Sequence, residues 1–230
     1  MPLEPIRHRR ITDEVYASLR AAILGRDFAP GQRIDVDALQ RQLGVSRTPL
    51  KDALNRLAME GLVRVVPRQG TFVAELGAEE IAEVCDVRCV LELYAVEQGI
   101  MRMTPEQLTR LRAHFEALRE TRTPDGGCSD HLAFVCHDHD FHRVIVEASG
   151  NQKLRELYET LNVHIQMARV YYLDADKRID QVCQEHERIL AAYEARDLAA
   201  AKEAVATHLA TAKEATLQRL AQAAAARKES

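Results

Sequence analysis

The chain of 230 residues lacks an apolar run long enough to cross a bilayer. Its N-terminal stretch MPLEPIRHRR carries charge, but the apolar segment of a secretory signal peptide does not follow it. We therefore expect neither a membrane helix nor a signal peptide, and we predict a cytoplasmic protein. The sequence also lacks an internal repeat, and low complexity is confined to the Ala-rich tail from Ala221.

The five cysteines are an odd number in a chain of ordinary size, which does not fit a disulfide framework. We expect reduced thiols. Cys85 and Cys89 lie one helical turn apart, yet a cysteine metal site would need two more soft ligands nearby, and only Cys183 offers a further hint. Buried, unreactive thiols are the simpler interpretation of all five.

The formal net charge of −4 at pH 7 hides a division along the chain. Residues 1–75 carry 12 Lys and Arg against 9 Asp and Glu, whereas the remainder carries 19 against 26. Within residues 41–70, six basic residues stand against two acidic ones. A compact positive segment on an otherwise acidic protein indicates that the N-terminal end meets a polyanion.

The N-terminal third shows the order of elements of a winged helix-turn-helix. A first helix is predicted by an apolar residue at every fourth position, at Ile11, Val15, Leu19 and Ile23. Asp35 and Ser46 can cap a second and a third helix, which Gly44 and Gly61 end. The stretch LVRVVPRQGTFVAEL then predicts a β-hairpin.

Everything after about Ala78 is helical in pattern, with breaks that leave five or six helices. We predict a mostly α-helical protein of two domains. Residues 1–75 form a winged helix-turn-helix DNA-binding domain, α-helical with a small β-hairpin. Residues 76–230 form an antiparallel all-helical bundle.

The third predicted helix offers a face for DNA. Its leucines form an inward stripe, which leaves Arg47, Lys51 and Asn55 at i, i+4 and i+8 on a different face. Arg can read guanine and Asn adenine, while Lys51 can equally meet a phosphate. The hairpin tip Arg68-Gln69-Gly70 is short and basic and can reach the DNA backbone or minor groove. The alternative is a solvated helix face beside an ordinary hairpin.

The stretch LQRQLGVSRTPLKDALNRLAMEGLV, followed by PRQGTFV, closely resembles the DNA-binding head of GntR-family bacterial transcription regulators over residues 8–75. The resemblance implies double-stranded operator DNA as the partner, with contacts at Arg47, Thr48, Lys51 and Gln69-Gly70. Lys51 stands where the family commonly has Arg, which weakens bidentate base reading there. Asp37 replaces a DNA-contacting Arg of some members, so we assign no contact to it.

Three helices of the body each carry polar residues in an apolar stripe. Asp138 and His142 interrupt the stripe of CHDHDFHRVIVEASG, His186 that of RIDQVCQEHERILAAYEA, and His208 that of DLAAAKEAVATHLATAKEA. If these helices converge, one carboxylate and three imidazoles can bind a divalent ion, zinc first, with nickel, manganese or iron as alternatives. Each His could instead be a core residue satisfied by hydrogen bonds. His137 and His139 project to other sides.

The body is similar to the FCD-type ligand-binding domain of the same regulators over about residues 79–222, on the stretches DHDFHRVIVEASGN, EHERIL and HLA. The resemblance implies a divalent metal held by Asp138, His142, His186 and His208, beside a small organic acid effector. It also makes Arg88, in EVCDVRCVLE, a candidate for the effector carboxylate, because guanidinium groups fork onto carboxylates. The alternative is an Arg88–Glu92 pair at i, i+4 on a solvated face.

We therefore predict a transcription regulator and not an enzyme, acting as a homodimer because one head offers one recognition helix to a pseudo-palindromic site. Two other hypotheses stay open. A metal-dependent hydrolase is favoured by the HD pair at His137-Asp138, since an open metal can activate water, but it leaves the winged head without a role and has no evident general base. A structural dimer module would have inert histidines.

Overall fold

The boundary between the two folded parts of the chain lies between Glu75 and Leu76, which separates two compact units. The structure is a computed structural model that describes residues 11–228. The N-terminal stretch in which we expect no signal peptide lies outside the described residues. Each unit is described by itself below.

The N-terminal unit combines three helices with a small sheet. In chain order its elements are α1 (Ile11–Leu24), β1 (Arg33–Ile34), α2 (Val36–Leu43), α3 (Arg47–Met59), β2 (Val63–Val66) and β3 (Gly70–Val73). The strands are antiparallel in the order β1-β3-β2, and β2 pairs with β3 from Val63↔Val73 to Val66↔Gly70. The helix-turn-helix and hairpin follow the predicted order, and β1 adds a third strand that the sequence pattern did not indicate.

The helix ends of this unit follow from local chemistry. The Asp35 carboxylate accepts a hydrogen bond from the Ala38 backbone N–H at 2.9 Å and caps α2. Gly44 ends the same helix with φ of 64°, the left-handed conformation that glycine adopts without strain. Ser46 occupies the N-cap position of α3, but its side chain makes no capping hydrogen bond, so the predicted cap is only positional.

The core of the N-terminal unit lies between α1 and α3. Val15, Leu19 and Ile23 are buried on α1, and the stripe of α3 is buried at Leu50, Ala53, Leu54 and Leu57. Ile11, in contrast, is 58% exposed and contributes little to this core. Burial of the α3 stripe fixes that helix by one face and leaves its opposite face to solvent.

The C-terminal unit is a bundle of six described helices. They are α4 (Ala78–Gly99), α5 (Pro105–Glu120), α6 (His131–Ala148), α7 (Gln152–Tyr172), α8 (Ala175–Glu194) and α9 (Leu198–Lys228). A Cβ at Gly99 would lie 2.9 Å from the backbone of Ala148, so glycine is what lets the end of α4 approach the end of α6. Among the described residues, no helix is both long and apolar enough to cross a membrane.

Candidate metal centre and nucleic-acid face

The polar residues that interrupt the apolar stripes all lie in the bundle interior. On α6 the predicted stripe is buried throughout, at Val135, Asp138, His142, Ile145 and Ser149. His186 on α8 and His208 on α9 are 0% exposed, each between buried apolar neighbours of its own helix. Three helices thus bring one carboxylate and three imidazoles into the same core.

These four side chains form one cluster, which we call the Asp–His cluster: Asp138, His142, His186 and His208. One potential ligand atom from each residue lies within 4.8 Å of those of the other three. The rings of His142 and His208 are stacked with centroids 4.8 Å apart, and the ring of His186 lies 4.6 Å from that of His208. The predicted residues are therefore brought together, and the chemistry of the cluster depends on their protonation.

Hydrogen bonds at Nδ1 determine the tautomer of all three histidines. Nδ1 of His142 lies 2.6 Å from a Glu92 carboxylate oxygen, that of His186 lies 2.9 Å from the Val182 carbonyl, and that of His208 lies 2.8 Å from a Glu185 carboxylate oxygen. Carboxylates and carbonyls only accept, so each Nδ1 must donate. In a neutral imidazole the proton on Nδ1 leaves a lone pair on Nε2.

The Nε2 atoms of the three histidines are buried and have no hydrogen-bond partner among the described residues. Burial lowers the pKa of His142, and it lowers the pKa values of His186 and His208 well below the usual range, because a charged ring loses its hydration. The rings are therefore neutral near pH 7. Three lone pairs face a carboxylate in a dry core, an arrangement that a cation would satisfy and that no protein donor does.

Spacings in the cluster match those of ligands around one ion. Nε2 of His186 lies 3.5 Å from Oδ1 of Asp138, and Nε2 of His208 lies 3.8 Å from the same oxygen. Two N or O ligands, each bonded to a zinc-like ion at its usual length of about 2.0–2.2 Å, stand roughly 3–3.5 Å apart. The residues thus fit a first-row divalent ion after a small contraction.

Arg88, the candidate for effector binding, does pair with Glu92, but not on a solvated face. Arg88 Nε donates to Glu92 at 2.5 Å, and the two residues are 3% and 0% exposed. Burial alone would raise the pKa of Glu92, but the charge of Arg88 and the bond from His142 lower it overall. Glu92 is therefore a buried carboxylate anion that joins Arg88 to a residue of the Asp–His cluster.

A second buried Arg–Glu–His chain stands on the other side of the cluster. Arg178 donates to Glu185 at 3.2 Å, and the same Glu185 oxygen accepts from His208. The second Glu185 oxygen accepts from the Thr211 hydroxyl at 2.9 Å. Carboxylate partners of this kind orient metal-bound histidines and make them more basic.

Arg169 on α7 is a further residue that the sequence analysis missed. It is 6% exposed and its guanidinium contacts Oδ2 of Asp138. Burial lowers the pKa of Arg169 well below its usual range, and the charge of Arg88 lowers it further. Since a guanidinium keeps its proton in proteins, this direction means that the site compensates its positive charge poorly.

The other histidines of the opening stretch lie outside the cluster, as predicted from their helical phase. His137 is half-buried. His139 is 8% exposed, stacks on Tyr158 and lies 3.3 Å from the Asn162 amide, and burial lowers its pKa to about 4. All five cysteines are free, and none belongs to the Asp–His cluster.

The exposed face of α3 carries the residues predicted to meet DNA. Arg47, Thr48, Lys51 and Asn55 are all exposed, opposite the buried leucines. Arg47, Lys51 and Asn55 line one groove, closed on its far side by Val65 and Thr71 of the sheet. The structure therefore gathers the three base-reading candidates on one surface.

The hairpin tip stands beside that groove. Arg68 and Gln69 are exposed, and Arg68 adopts a left-handed φ of 64°. Gly70 has a φ of 126°, and a Cβ there would lie 3.1 Å from Nε of Arg33, so a side chain at this position would be both strained and crowded. Arg33, on the two-residue strand β1, is exposed and adds a base that the sequence analysis did not single out.

Asp37, to which no DNA contact was assigned, lies near the recognition residue Arg47. Their side chains approach to 3.5 Å, and both are well exposed, at 72% for Arg47 and 66% for Asp37. An exposed ion pair of this kind contributes little to stability. Its effect is instead to hold the Arg47 guanidinium on the same side of the groove as α2.

Comparisons with known proteins agree with this arrangement. Residues 11–73 match the family model described as bacterial regulatory proteins, gntR family, and residues 83–211 match that of the FCD domain. The chain is 30% identical to the uncharacterized HTH-type transcriptional regulator YdhC of Bacillus subtilis, covering 85% of this chain and 86% of that protein. The solved structure of Escherichia coli McbR/YncC superposes with a TM-score of 0.77 at 26% identity, covering 93% of this chain and 100% of that one. A putative GntR regulator from Rhodococcus sp. RHA1 shares the fold, with a TM-score of 0.79 at 24% identity over 90% and 97% of the two chains.

Proposed function

The chain belongs to the gntR family of bacterial regulatory proteins and carries an FCD domain; from this premise we propose that a divalent metal and a small carboxylate effector, bound in its helical unit, modulate the binding of its winged head to operator DNA. Its relatives are transcriptional regulators and not enzymes, and so is this protein. It would act on DNA in the cytoplasm. Residues 1–75 would serve DNA binding, and residues 76–230 would bind metal and effector and form the dimer.

The metal proposal rests on one observation: three buried Nε2 atoms without hydrogen-bond partners face Asp138, while every Nδ1 of the same rings is hydrogen-bonded. Asp138, His142, His186 and His208 would hold the ion. Among the candidate ions zinc suits this donor set best, with nickel, manganese or iron as alternatives. The ion would supply a Lewis-acidic position for a carboxylate oxygen.

A hydrolytic role finds no support in this geometry. A metal-dependent hydrolase needs a carboxylate free to accept a proton from water. Glu92 and Glu185, the buried carboxylates beside the cluster, already accept from a histidine and an arginine each. These carboxylates orient ligands, and the cluster is better suited to binding than to chemistry.

Metal content tests the proposal directly. Purified wild-type protein should retain about one divalent ion per chain after extensive dialysis, as measured by inductively coupled plasma mass spectrometry. His208→Ala should lower the metal affinity by at least the 10- to 100-fold that is typical of losing even a supporting contact. His137→Ala is the matched control and should keep the wild-type content. Metal lost from the His137 variant and kept by the His208 variant would refute the proposed ligand set.

The proposed homodimer has a candidate surface on α4. Val87, Val90 and Tyr94 share one face of this helix and are 46%, 68% and 45% exposed, while Arg88 and Glu92 are buried on the opposite side. A second copy of this chain is the fitting occupant, because a pseudo-palindromic operator needs two recognition helices and each chain has one. An apolar face shared by two copies would be used twice across a two-fold axis.

Val90→Lys should therefore separate the dimer. A two-fold interface would bring two added lysines close together, and such like-charge contacts cost several kcal/mol, so dimer dissociation should become at least about 100-fold easier. Sedimentation equilibrium measures this change. Leu157→Lys, at a residue of α7 that is 58% exposed, is the control and should stay dimeric. A Val90→Lys protein as dimeric as wild type would exclude this face.

A further inference from the structure

The charges buried in the helical unit balance one another without a metal. Its buried charged side chains, among the described residues, are three arginines and three carboxylates. They form three pairs: Arg88–Glu92, Arg169–Asp138 and Arg178–Glu185. Because the histidines beside them are neutral, a bound divalent ion would bring two uncompensated positive charges into the core.

Such an excess of charge is unfavourable in a dry interior, where an ion is tolerated only if it is paired. A monocarboxylate would neutralise half of it, and a dicarboxylate would neutralise all of it. The charge of the site thus discriminates between two classes of small organic acid.

Guanidinium groups are in place to hold a second carboxylate. Nη2 of Arg88 is buried and has no hydrogen-bond partner among the described residues, although Arg88 uses its Nε on Glu92. Arg88 reaches the Asp–His cluster through Glu92 and His142, and Arg169 reaches it directly at Asp138. Two positive groups therefore flank one cluster, and after burial the charge of Arg88 is the largest influence on Arg169, ahead of that of Arg178.

We propose, on the premise that the metal and carboxylate function above holds, that the effector is a small dicarboxylate and that Arg88 and Arg169 select its second carboxylate. Guanidinium groups recognise carboxylates with two parallel N–H donors, which a lysine in their place would not provide. Arg169 would then have two roles, as partner of Asp138 and as a specificity-determining residue for the effector.

Calorimetric titration of the zinc-loaded full-length protein tests this inference. Succinate and butyrate have equal carbon counts, as do glutarate and valerate, so each pair differs by one carboxylate. At least one dicarboxylate should bind about tenfold or more tightly than its partner, the effect of one added charge-assisted contact. Metal content is measured after each titration, so that extraction of zinc by the acid is not read as binding.

Variants assign the selectivity to residues. Arg169→Gln and Arg88→Gln should each lower dicarboxylate affinity about tenfold or more while leaving monocarboxylate affinity and metal content unchanged. Arg155→Gln, at an exposed arginine of the same helix as Arg169, should change neither. If a glutamine variant does not fold, as judged by circular dichroism, Arg169→Lys replaces it and should still lose the preference.

The possible outcomes separate the two proposals. Equal affinity for both acids of each pair, with zinc retained, would overturn the dicarboxylate inference and leave the proposed function intact. Selectivity that persists in both arginine variants would overturn the assignment of Arg88 and Arg169. A wild-type protein that holds no metal, or binds no carboxylate at all, would overturn the proposed function itself.

Discussion

Removal of the bound ion is expected to lower the melting temperature of the wild-type protein by roughly 8–16 °C. An ion that binds only the folded state, at a free concentration 1,000 times its Kd, adds about 4 kcal/mol to the free energy of unfolding. In a chain of this size, each kcal/mol changes the melting temperature by about 2–4 °C. Scanning calorimetry with zinc, and then with excess chelator, measures the difference.

The same comparison in His208→Ala should show almost no difference. The variant will start from a lower melting temperature, because it loses a fully buried ring and leaves Glu185 without one of its donors. The informative quantity is therefore the change caused by the chelator within each protein. His137→Ala, on the same helix as His142 but outside the cluster, should respond like the wild type. A full response in His208→Ala would show that the ion binds elsewhere.

Arg47→Ala is expected to abolish discrimination between operator and unrelated DNA. A bidentate contact between arginine and guanine contributes about 1–3 kcal/mol of discrimination, and a dimer would lose two such contacts. The ratio of specific to non-specific affinity should therefore fall roughly 30-fold to more than 10,000-fold. Fluorescence anisotropy with both DNAs at one salt concentration measures this ratio.

Lys51→Ala provides the contrast on the same helix face. If Lys51 meets a phosphate, its loss should weaken binding to both DNAs alike and reduce the slope of log K against log salt by about one for each lysine removed. A change of specificity in the Lys51 variant, together with unchanged specificity in the Arg47 variant, would show that the roles are reversed. Unchanged binding in both would exclude this face of α3.

Much of the fold could be predicted because each signal is local. The leucine stripe of α3 and the cap at Asp35 follow from residues within one or two turns, and both are present in the structure. The strand β1 was not predicted, since two residues, Arg33 and Ile34, are too few to show an alternation. The pairing that defines β1 is with Thr71 and Phe72, far away in the sequence.

The Asp–His cluster could be predicted because a polar residue in an apolar stripe is conspicuous. Its supporting residues were missed for the opposite reason. Glu92 and Arg88 are spaced like an ordinary exposed ion pair, and only the packing of α6 against α4 shows that they are buried. Arg169 likewise shows nothing in its own helix, because its partner Asp138 belongs to a different one.

Operator binding under four conditions tests the central claim most directly. The dimer is titrated onto operator DNA with zinc or with chelator, each with and without succinate. The account predicts that succinate changes operator affinity by about 5- to 150-fold, the usual range of allosteric coupling, only when zinc is present, and that Asp138→Asn abolishes this change. An equal succinate effect in chelated protein, or operator affinity that is the same in all four conditions, would contradict it.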